Sequence, residues 1–349
     1  MSEKTAETTA AMTKRATMIE VARLADVGAM TVSRVLNGSA RVSPETASRV
    51  HAAIERLKYR PNEMARALRG AKSKSIGLIV PSLADAFFAT CAHSVNMVAQ
   101  THGYSMILTA SNDSVAKEFS EAEWMLQKHV EGIILCPTPA KVSHLSDPIF
   151  HRIPIVAFDR PLQIPQVASV LVENGGGSKR GTQHLIEHGH KRIHFLGDSP
   201  NLFTIQRRFD GYRRALSNVG LKAQGCLECN SEELVFNYAK EVLNGKNAPT
   251  AFFCGNNRIS RYLYRALFHL GLKIPDDVAI VGFDDFDMAD MLSPALTVIR
   301  QPVETLGRTA AKVLFARLKT NVDEWPKDSS RTTLNVELIL RRSCGCKSI

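Results

Sequence analysis

Nothing in the 349 residues is apolar for long enough to cross a bilayer. Runs such as Ile76-Gly77-Leu78-Ile79-Val80 have the length of a buried strand. Met1 to Met12 are small and polar, with no apolar stretch of the kind an export signal carries, and residues 1–16 read as a disordered tail. The chain is therefore expected in the cytoplasm, with no membrane partner. Cysteines are few and odd in number, seven, which suits a reducing compartment better than a disulfide framework. Cys226-x-x-Cys229 and Cys344-x-Cys346 each offer two thiolates. No histidine stands at finger spacing around either pair and neither completes four ligands, so neither metal nor cofactor is expected. Gly175-Gly176-Gly177 lacks the Gly-x-Gly-x-x-Gly spacing after a strand, which argues against a dinucleotide loop. A nucleophile–base pair at informative spacing is also missing, and the chain is not expected to be an enzyme.

Acidic residues are scarce in one place. Residues 13–75 hold thirteen Lys/Arg against five Asp/Glu, whereas the remainder holds 31 against 29. Most of the formal charge of +10 thus lies in about the first fifth of the chain, which points to a polyanionic partner.

The same segment reads as two short helices and a tight turn. Val21, Ala22 and Ala25 share one face of the first helix, Val27 fills the turn, and Val32 and Val35 face inward from the second. The outward face of the second helix carries Ala29, Met30, Thr31, Ser33 and Arg34, which suits a recognition helix in the DNA major groove. Ser43-Pro44 opens a third helix with the stripe Val50, Ala53, Ile54 and Leu57, ended by Tyr59-Arg60-Pro61. A short segment, Asn62 to Arg69, precedes the linker Ala71 to Ser75.

Val-Ala-x-x-Ala-x-Val, Thr-Val-Ser-Arg-Val-Leu-Asn-Gly, Val-Ser-x-x-Thr and Leu-x-Tyr-x-Pro-Asn-x-x-Ala-Arg-x-Leu follow one another in order. This set resembles the DNA-binding head of the lac repressor family of bacterial transcription regulators. The resemblance implies that Ala29 and Met30 occupy the positions that choose operator bases, through apolar contacts only. It implies that Arg34 reaches a guanine and that Thr31, Ser33, Asn37 and Arg41 contact phosphates. Gly28 departs from the pattern, which usually has Ser or Thr as the cap there. Residues 62–74 would form a hinge helix and linker, with Asn62 at the helix start, Ala65 permitting close approach and Leu68 wedging between base steps. Such a short segment should fold only on DNA.

From residue 75 strands and helices alternate. Strands are expected over Ser75–Pro81, Tyr104–Ala110, Gly132–Cys136, Ile155–Asp159, the run after Gly189, Ala251–Cys254 and Val278–Phe283. Helices are expected over Phe87–His102, Val115–Lys128, Gly177–His188, Arg207–Asn218 and Ser260–Leu270. Alternation implies parallel sheets covered by helices on both faces. Ile-Gly-Leu-Ile-Val-Pro, Gly-His-x-x-Ile, Arg208-x-x-Gly211-Tyr212, Ile-Pro-x-Asp-Val-Ala-Ile-Val-Gly-Phe-Asp-Asp and Arg-Arg-Ser-Cys resemble the periplasmic-binding-protein-like body of the same family.

The expected fold is an all-α helix-turn-helix head over 17–61 followed by a two-lobed α/β body over 75–349. One parallel-sheet subdomain would take about 75–171 and 303–330, the other about 172–302 and 331–343. Ligands of such sheets bind beyond the strand ends. Ser82, Asp85, Phe87 and Phe88 after the first strand, and Asp159 after a later one, suit a sugar-like effector with hydroxyls and apolar ring faces. The resemblance adds Arg208, Asn256 and Asp284. After Asn256, where the family has an acid and then small residues, the chain reads Asn257-Arg258-Ile259-Ser260-Arg261; the lost acid and the two arginines would make the cleft edge more cationic and favour a sugar acid or sugar phosphate if the arginines point inward. The function expected is a homodimeric repressor of a palindromic operator on double-stranded DNA, nucleoid-associated when bound and controlled by a small-molecule effector. A receptor for solutes without operator specificity, or a family member responding to a nucleobase, is the alternative.

Overall fold

The computed structural model describes residues 16–36, 41–60, 72–139, 144–326 and 330–346. The chain divides into two compact units at the junction of Ser73 and Lys74.

The first unit holds helices α1 (Met18–Leu24), α2 (Ala29–Leu36) and α3 (Pro44–Arg56). Thr17 and Glu20 form a capping box at the start of α1: each side chain accepts from the other residue's backbone N–H, at 2.6 and 3.3 Å. Asp26, at φ +52°, turns the chain between α1 and α2 in a left-handed conformation that aspartate tolerates. Gly28 opens α2, its carbonyl accepting from Thr31 and Val32. A Cβ on Gly28 would meet nothing within 4 Å, so space does not demand glycine there. Ser43 caps α3 through Thr46 N–H, with Pro44 in the first turn. Val21, Val32 and Val50, one from each helix, are fully buried at the shared core, with Ala22, Ala25, Val35, Ala53 and Tyr59 around them.

The second unit contains two sheets of six strands. Strands β1 (Ser75–Val80), β2 (Ser105–Ala110), β3 (Ile133–Leu135), β4 (Ile155–Phe158), β5 (Ala168–Val172) and β11 (Arg331–Leu334) form an all-parallel sheet in the order β11-β5-β4-β3-β1-β2. Strands β6 (Ile193–Leu196), β7 (Gln224–Cys226), β8 (Ala251–Cys254), β9 (Ala279–Phe283), β10 (Thr297–Arg300) and β12 (Glu337–Ile339) form the other, in the order β12-β10-β9-β8-β6-β7. Only the edge strand β12 runs antiparallel, against β10. Both sheets therefore repeat one winding, with reversal of strand order beside β1 in one and β6 in the other. Such reversals open a crevice at the carboxyl ends of the strands.

Helices α4 (Ala86–Thr101), α5 (Val115–Gln127) and α10 (Val303–Arg317) cover the first sheet. Helices α6 (Asn174–Glu187), α7 (Phe203–Ser217), α8 (Glu232–Leu243) and α9 (Asn257–His269) cover the second. The central strands β1 and β8 are buried throughout their continuous apolar runs, Ile-Gly-Leu-Ile-Val and Ala-Phe-Phe-Cys. The chain passes between the sheets three times, from β5 into α6, from β10 into α10 and from β11 into β12. The last passage corrects the expected boundary at 330/331: β11 pairs with β5 in the first sheet, and the crossing falls between Leu334 and Glu337.

Helix α6 starts three residues earlier than expected and takes in all three glycines. Their role is packing. A Cβ on Gly177 would stand 2.5 Å from Val336, and one on Gly211 of α7 would stand 2.1 Å from the Gly175 carbonyl oxygen. Bare backbone on both helices is what lets α6 and α7 cross so closely. Strands β5, β7, β10, β11 and β12 and helices α8 and α10 were not anticipated as elements. β5 and β10 are short apolar runs ambiguous in period, and β11 is exposed at a sheet edge at all but its last residue.

Candidate functional site

Two surfaces gather the residues singled out in the sequence. On the head, α2 turns Val32 and Val35 inward, leaving Ala29, Met30 and Arg34 exposed and Thr31 and Ser33 half-buried. Met30 is 71% exposed, large for a methionine with no partner in the core of its own unit, and lies beside Arg34, whose Nη2 is 3.9 Å from its sulfur. Arg41 is exposed as well. Asn37, Asn62, Ala65 and Leu68, together with the expected hinge helix, lie outside the described residues.

In the body, a cavity of about 300 Å³ lies between the carboxyl ends of the two sheets, lined by loops from both. The strand-end winding places like beside like. Asp159 follows β4 and Asp284 follows β9, the corresponding strand of the other sheet. Both are left-handed, at φ +63° and +76°, and each backbone N–H donates to the neighbouring strand, to Val170 O and Ile299 O, at 2.9 Å. Those kinks turn the two carboxylates out of the sheet ends into the cleft. Both are buried, and burial pushes both carboxyls above the usual range, against the pull of nearby arginines.

Arg208, on α7, reaches under the cleft floor. Its Nε donates to Asn174 Oδ1 and its Nη1 to the Gly255 carbonyl, both at 2.8 Å. The Nη1 also lies 3.6 Å from Asp284 Oδ2, and the guanidinium sits 3.7 Å from the centre of the Phe283 ring. Asp284 further accepts from the Gln301 amide and, at 3.4 Å, from the Asn257 backbone N–H. On the first sheet Arg160 does for Asp159 what Arg208 does for Asp284, standing 3.8 Å from it while donating to Asp113 at 2.5 Å and to the Pro137 carbonyl.

Asp85 and Asn256 are helix caps, accepting from Phe87 N–H and Ile259 N–H at 3.0 Å, and both also line the cavity. Asp85 Oδ1 additionally accepts from Asn257 Nδ2 at 3.4 Å, a hydrogen bond that joins the two lobes. Ser82 accepts from Ala84 N–H in the turn after β1. Phe87 and Phe88 meet edge to face at 5.1 Å; Phe88 also packs on Phe158, so it serves the core as much as the cleft wall.

All eight effector candidates thus border one cavity. The spacing of residues did not point to Asn174, Arg160, Asp198, Asn257 or Gln301. Asp198 follows β6 as Ser82 follows β1, so recognition of the internal repeat would have found it. Gln301 and Asn174 lie at inter-lobe crossings, which local pattern does not mark. Arg258 and Arg261 both line the cavity. The expected cationic edge is nonetheless half compensated: Arg258 is held 2.6 Å from the buried Asp198, which also accepts from Asn256 Nδ2 at 2.8 Å. Three cavity residues, Arg160, Asp198 and Gln301, each keep one buried polar atom without a hydrogen-bond partner. Such atoms are stabilised when a polar ligand supplies the missing partner.

Among the described residues no helix is long and apolar enough to cross a membrane.

The chain matches two family models, bacterial regulatory proteins of the lacI family over residues 17–62 and the periplasmic binding protein-like domain over residues 182–344. It is 30% identical over 338 residues to the HTH-type transcriptional repressor PurR of Photobacterium profundum, covering 94% of this chain and 98% of that one. Among solved structures it resembles the lac repressor dimer bound to operator and the anti-inducer ONPF, with a TM-score of 0.83 at 26% identity over 95% of this chain and 99% of the other. It also resembles the complex of transcriptional regulator CelR with cellobiose, with a TM-score of 0.67 at 29% identity over 94% and 100% of the two chains. Helix-turn-helix head, doubly wound two-lobed body and these similarities together make the chain a member of the lacI family of bacterial regulatory proteins.

Proposed function

We propose that this regulator is a homodimeric repressor that reads a palindromic operator and is controlled by a neutral sugar in the inter-lobe cleft. The observation that carries the effector reading is the lining of the cavity. Two buried carboxylates, two buried guanidinium groups and the amides of Asn256, Asn257 and Gln301 converge there beside Phe87. Sugars offer vicinal hydroxyls that donate to carboxylates and accept from guanidinium and amide groups, and an apolar ring face for an aromatic. Five aspartates line the cavity against four arginines, and Arg258 is paired, which disfavours a sugar acid or phosphate. A ligand touching both lobes stabilises one relative orientation of them and so shifts the balance between DNA-binding states. On the operator, Ala29 and Met30 would meet thymine methyls, Arg34 a guanine, and Thr31, Ser33 and Arg41 the backbone phosphates. Asn37 is assigned to phosphate, and Asn62, Ala65 and Leu68 to the hinge contacts, on the family resemblance. Residues 62–74 are assigned as hinge and linker, and the two-lobed unit that follows as the effector-binding and dimerisation domain.

A thermal-shift screen of the full-length chain against neutral sugars, sugar acids, sugar phosphates and nucleobases tests the effector class. Stabilisation by a neutral sugar that disappears in Asn257→Ala is expected. Stabilisation by phosphorylated sugars or nucleobases alone overturns it.

A further inference from the structure

The cysteine pair at the end of the chain acquires histidine neighbours only in the folded protein. His184 lies near the C-terminal end of α6, 160 residues before Cys344 in sequence. Its Nε2 is 3.1 Å from Cys344 Sγ and 3.6 Å from Cys346 Sγ, and the two sulfurs are 3.4 Å apart. The three donor atoms form a compact cluster among His, Cys and acidic side chains of the described residues. His188, the residue that caps the C-terminus of α6 four positions on, stands beside this cluster with Nε2 3.3 Å from Cys346 Sγ.

A tetrahedral zinc ion, with bonds of about 2.3 Å to sulfur and about 2.0 Å to nitrogen, holds its ligand atoms roughly 3.3–3.8 Å apart. The three contacts among His184, Cys344 and Cys346 fall within a few tenths of an ångström of that range. We propose that His184, Cys344 and Cys346 form a zinc site, with His188 the adjacent donor for the fourth position.

The surroundings of the site are built for it. Thr297 Oγ1 donates to Cys344 Sγ at 3.1 Å, a contact that favours a thiolate. His188 Nδ1 lies 2.9 Å from the His184 carbonyl; donating there leaves Nε2 unprotonated and turned to the sulfurs. Ser343 locks the backbone before Cys344 onto β9, its Oγ donating to Ile280 O at 2.7 Å and its carbonyl accepting from Ile280 N–H at 2.8 Å. His184 and Cys344 are buried, whereas Cys346 is half-exposed and His188 exposed, which leaves a way in for the ion. Binding replaces two S–H bonds by two S–Zn bonds and releases both protons to solvent. The ion would fasten the chain's last described residues to α6. That helix begins at Asn174 under the effector cleft, ten residues or about 15 Å away from His184. The site is therefore separate from the cleft and independent of the identity of the effector.

Cobalt is the probe. Full-length protein, reduced and freed of metal by a chelator, is titrated with Co²⁺ while thiolate-to-metal charge-transfer and tetrahedral d–d absorption are followed, and Zn²⁺ is then added to displace it. Saturation at one equivalent per chain is expected, with displacement by zinc and a zinc-dependent rise in melting temperature. Because Cys344 is fully buried, the diagnostic variant is Cys346→Ser at the half-exposed position. It should weaken zinc binding more than about 100-fold, exceeding the effect of a lost outer-shell partner. Cys226→Ser, in the other cysteine pair, should leave affinity and stoichiometry unchanged. No charge-transfer band in protein whose thiols titrate as reduced overturns the proposal. A band that survives Cys346→Ser, or one lost in Cys226→Ser, overturns it equally.

Discussion

Arg208→Met removes the buried cation while keeping a long side chain against Phe283, so charge is lost with little change of volume. Arg208 is 3% exposed and Asp284 8%, and the pair is not shielded by solvent. The substitution strands a carboxylate and takes the donor from Asn174 Oδ1 and the Gly255 carbonyl. Breaking a buried pair from one side costs about 3–5 kcal/mol, because the remaining charge stays desolvated. A loss of that size is expected at pH 7.5. Burial already holds the Asp284 carboxyl above its ordinary value, with Arg208 pulling it down, and removal of the arginine lets it climb further. A folded state whose carboxyl has a raised pKa binds a proton that the unfolded chain releases. Stability of the variant is therefore greatest at low pH and declines as pH rises from the ordinary carboxyl range through the raised folded value. The deficit at pH 5 should be smaller than at pH 7.5, and Asp284→Asn in the Arg208→Met background should recover most of it.

Urea unfolding followed by far-UV circular dichroism is the suitable assay. Both tryptophans, Trp124 on α5 and Trp325 beside Arg317, belong to the first lobe, so their fluorescence would report on the lobe that is not perturbed. A loss under about 1 kcal/mol, the scale of an exposed ion pair, would refute the reasoning. So would a deficit independent of pH, or no recovery with Asp284→Asn.

Other expectations follow from the same geometry. Gly211→Ala places a methyl 2.1 Å from the Gly175 carbonyl, which is backbone and cannot swing aside; a loss of about 3 kcal/mol in thermal melts is expected, at the upper end for overpacking. Gly28→Ser, with open space around the added side chain, should leave the head as stable or stabilise it by a few tenths, about 0.3 kcal/mol, since serine caps only slightly better than glycine. Arg34→Ala should weaken operator binding in fluorescence anisotropy by about 1–3 kcal/mol and relax preference at one base pair, with no change in melting of the head. Leu68→Ala should reduce specific operator affinity while ligand-induced thermal shifts of the body persist; unchanged operator affinity would remove the wedge role from Leu68.

The head was nearly all legible. Val21, Ala22, Ala25, Val32, Val35, Val50 and Ala53 are buried where helical period places them, because three short helices have one small core and each apolar stripe has only one way to face it. In the body, the strand at Ser75 and the helices after Phe87 and Val115 were legible for the same reason. Strand β7, three residues that are exposed or half-buried, was not, and helix α8 was passed over although Val235 and Ala239 stand at helical spacing. Among cleft residues, those directly after a recognisable strand could be named, and Arg208 and Asp284 were reached through the resemblance. Gln301, which enters the cleft, and Asn174, which accepts from Arg208 beneath it, could not be found that way, since each stands where the chain changes lobes.

The amino-acid order by itself determined the helices of the head and their sidedness, the alternation of central strands and helices in the body, the basic head and the class of molecule. Period, capping and charge act over a few residues and survive without long-range contacts. Tertiary structure decided everything that depends on two distant segments meeting. It paired Arg258 with Asp198 and so compensated half of the cationic edge that Arg258 and Arg261 suggested in sequence. It made Asp159 and Asp284 counterparts across one cleft, and it carried β11 into the first sheet. It also set His184 against Cys344 and Cys346, turning two thiols that lacked partners in sequence into a three-donor cluster. Proximity between such residues is created by the winding of the sheets, and no local spacing encodes it.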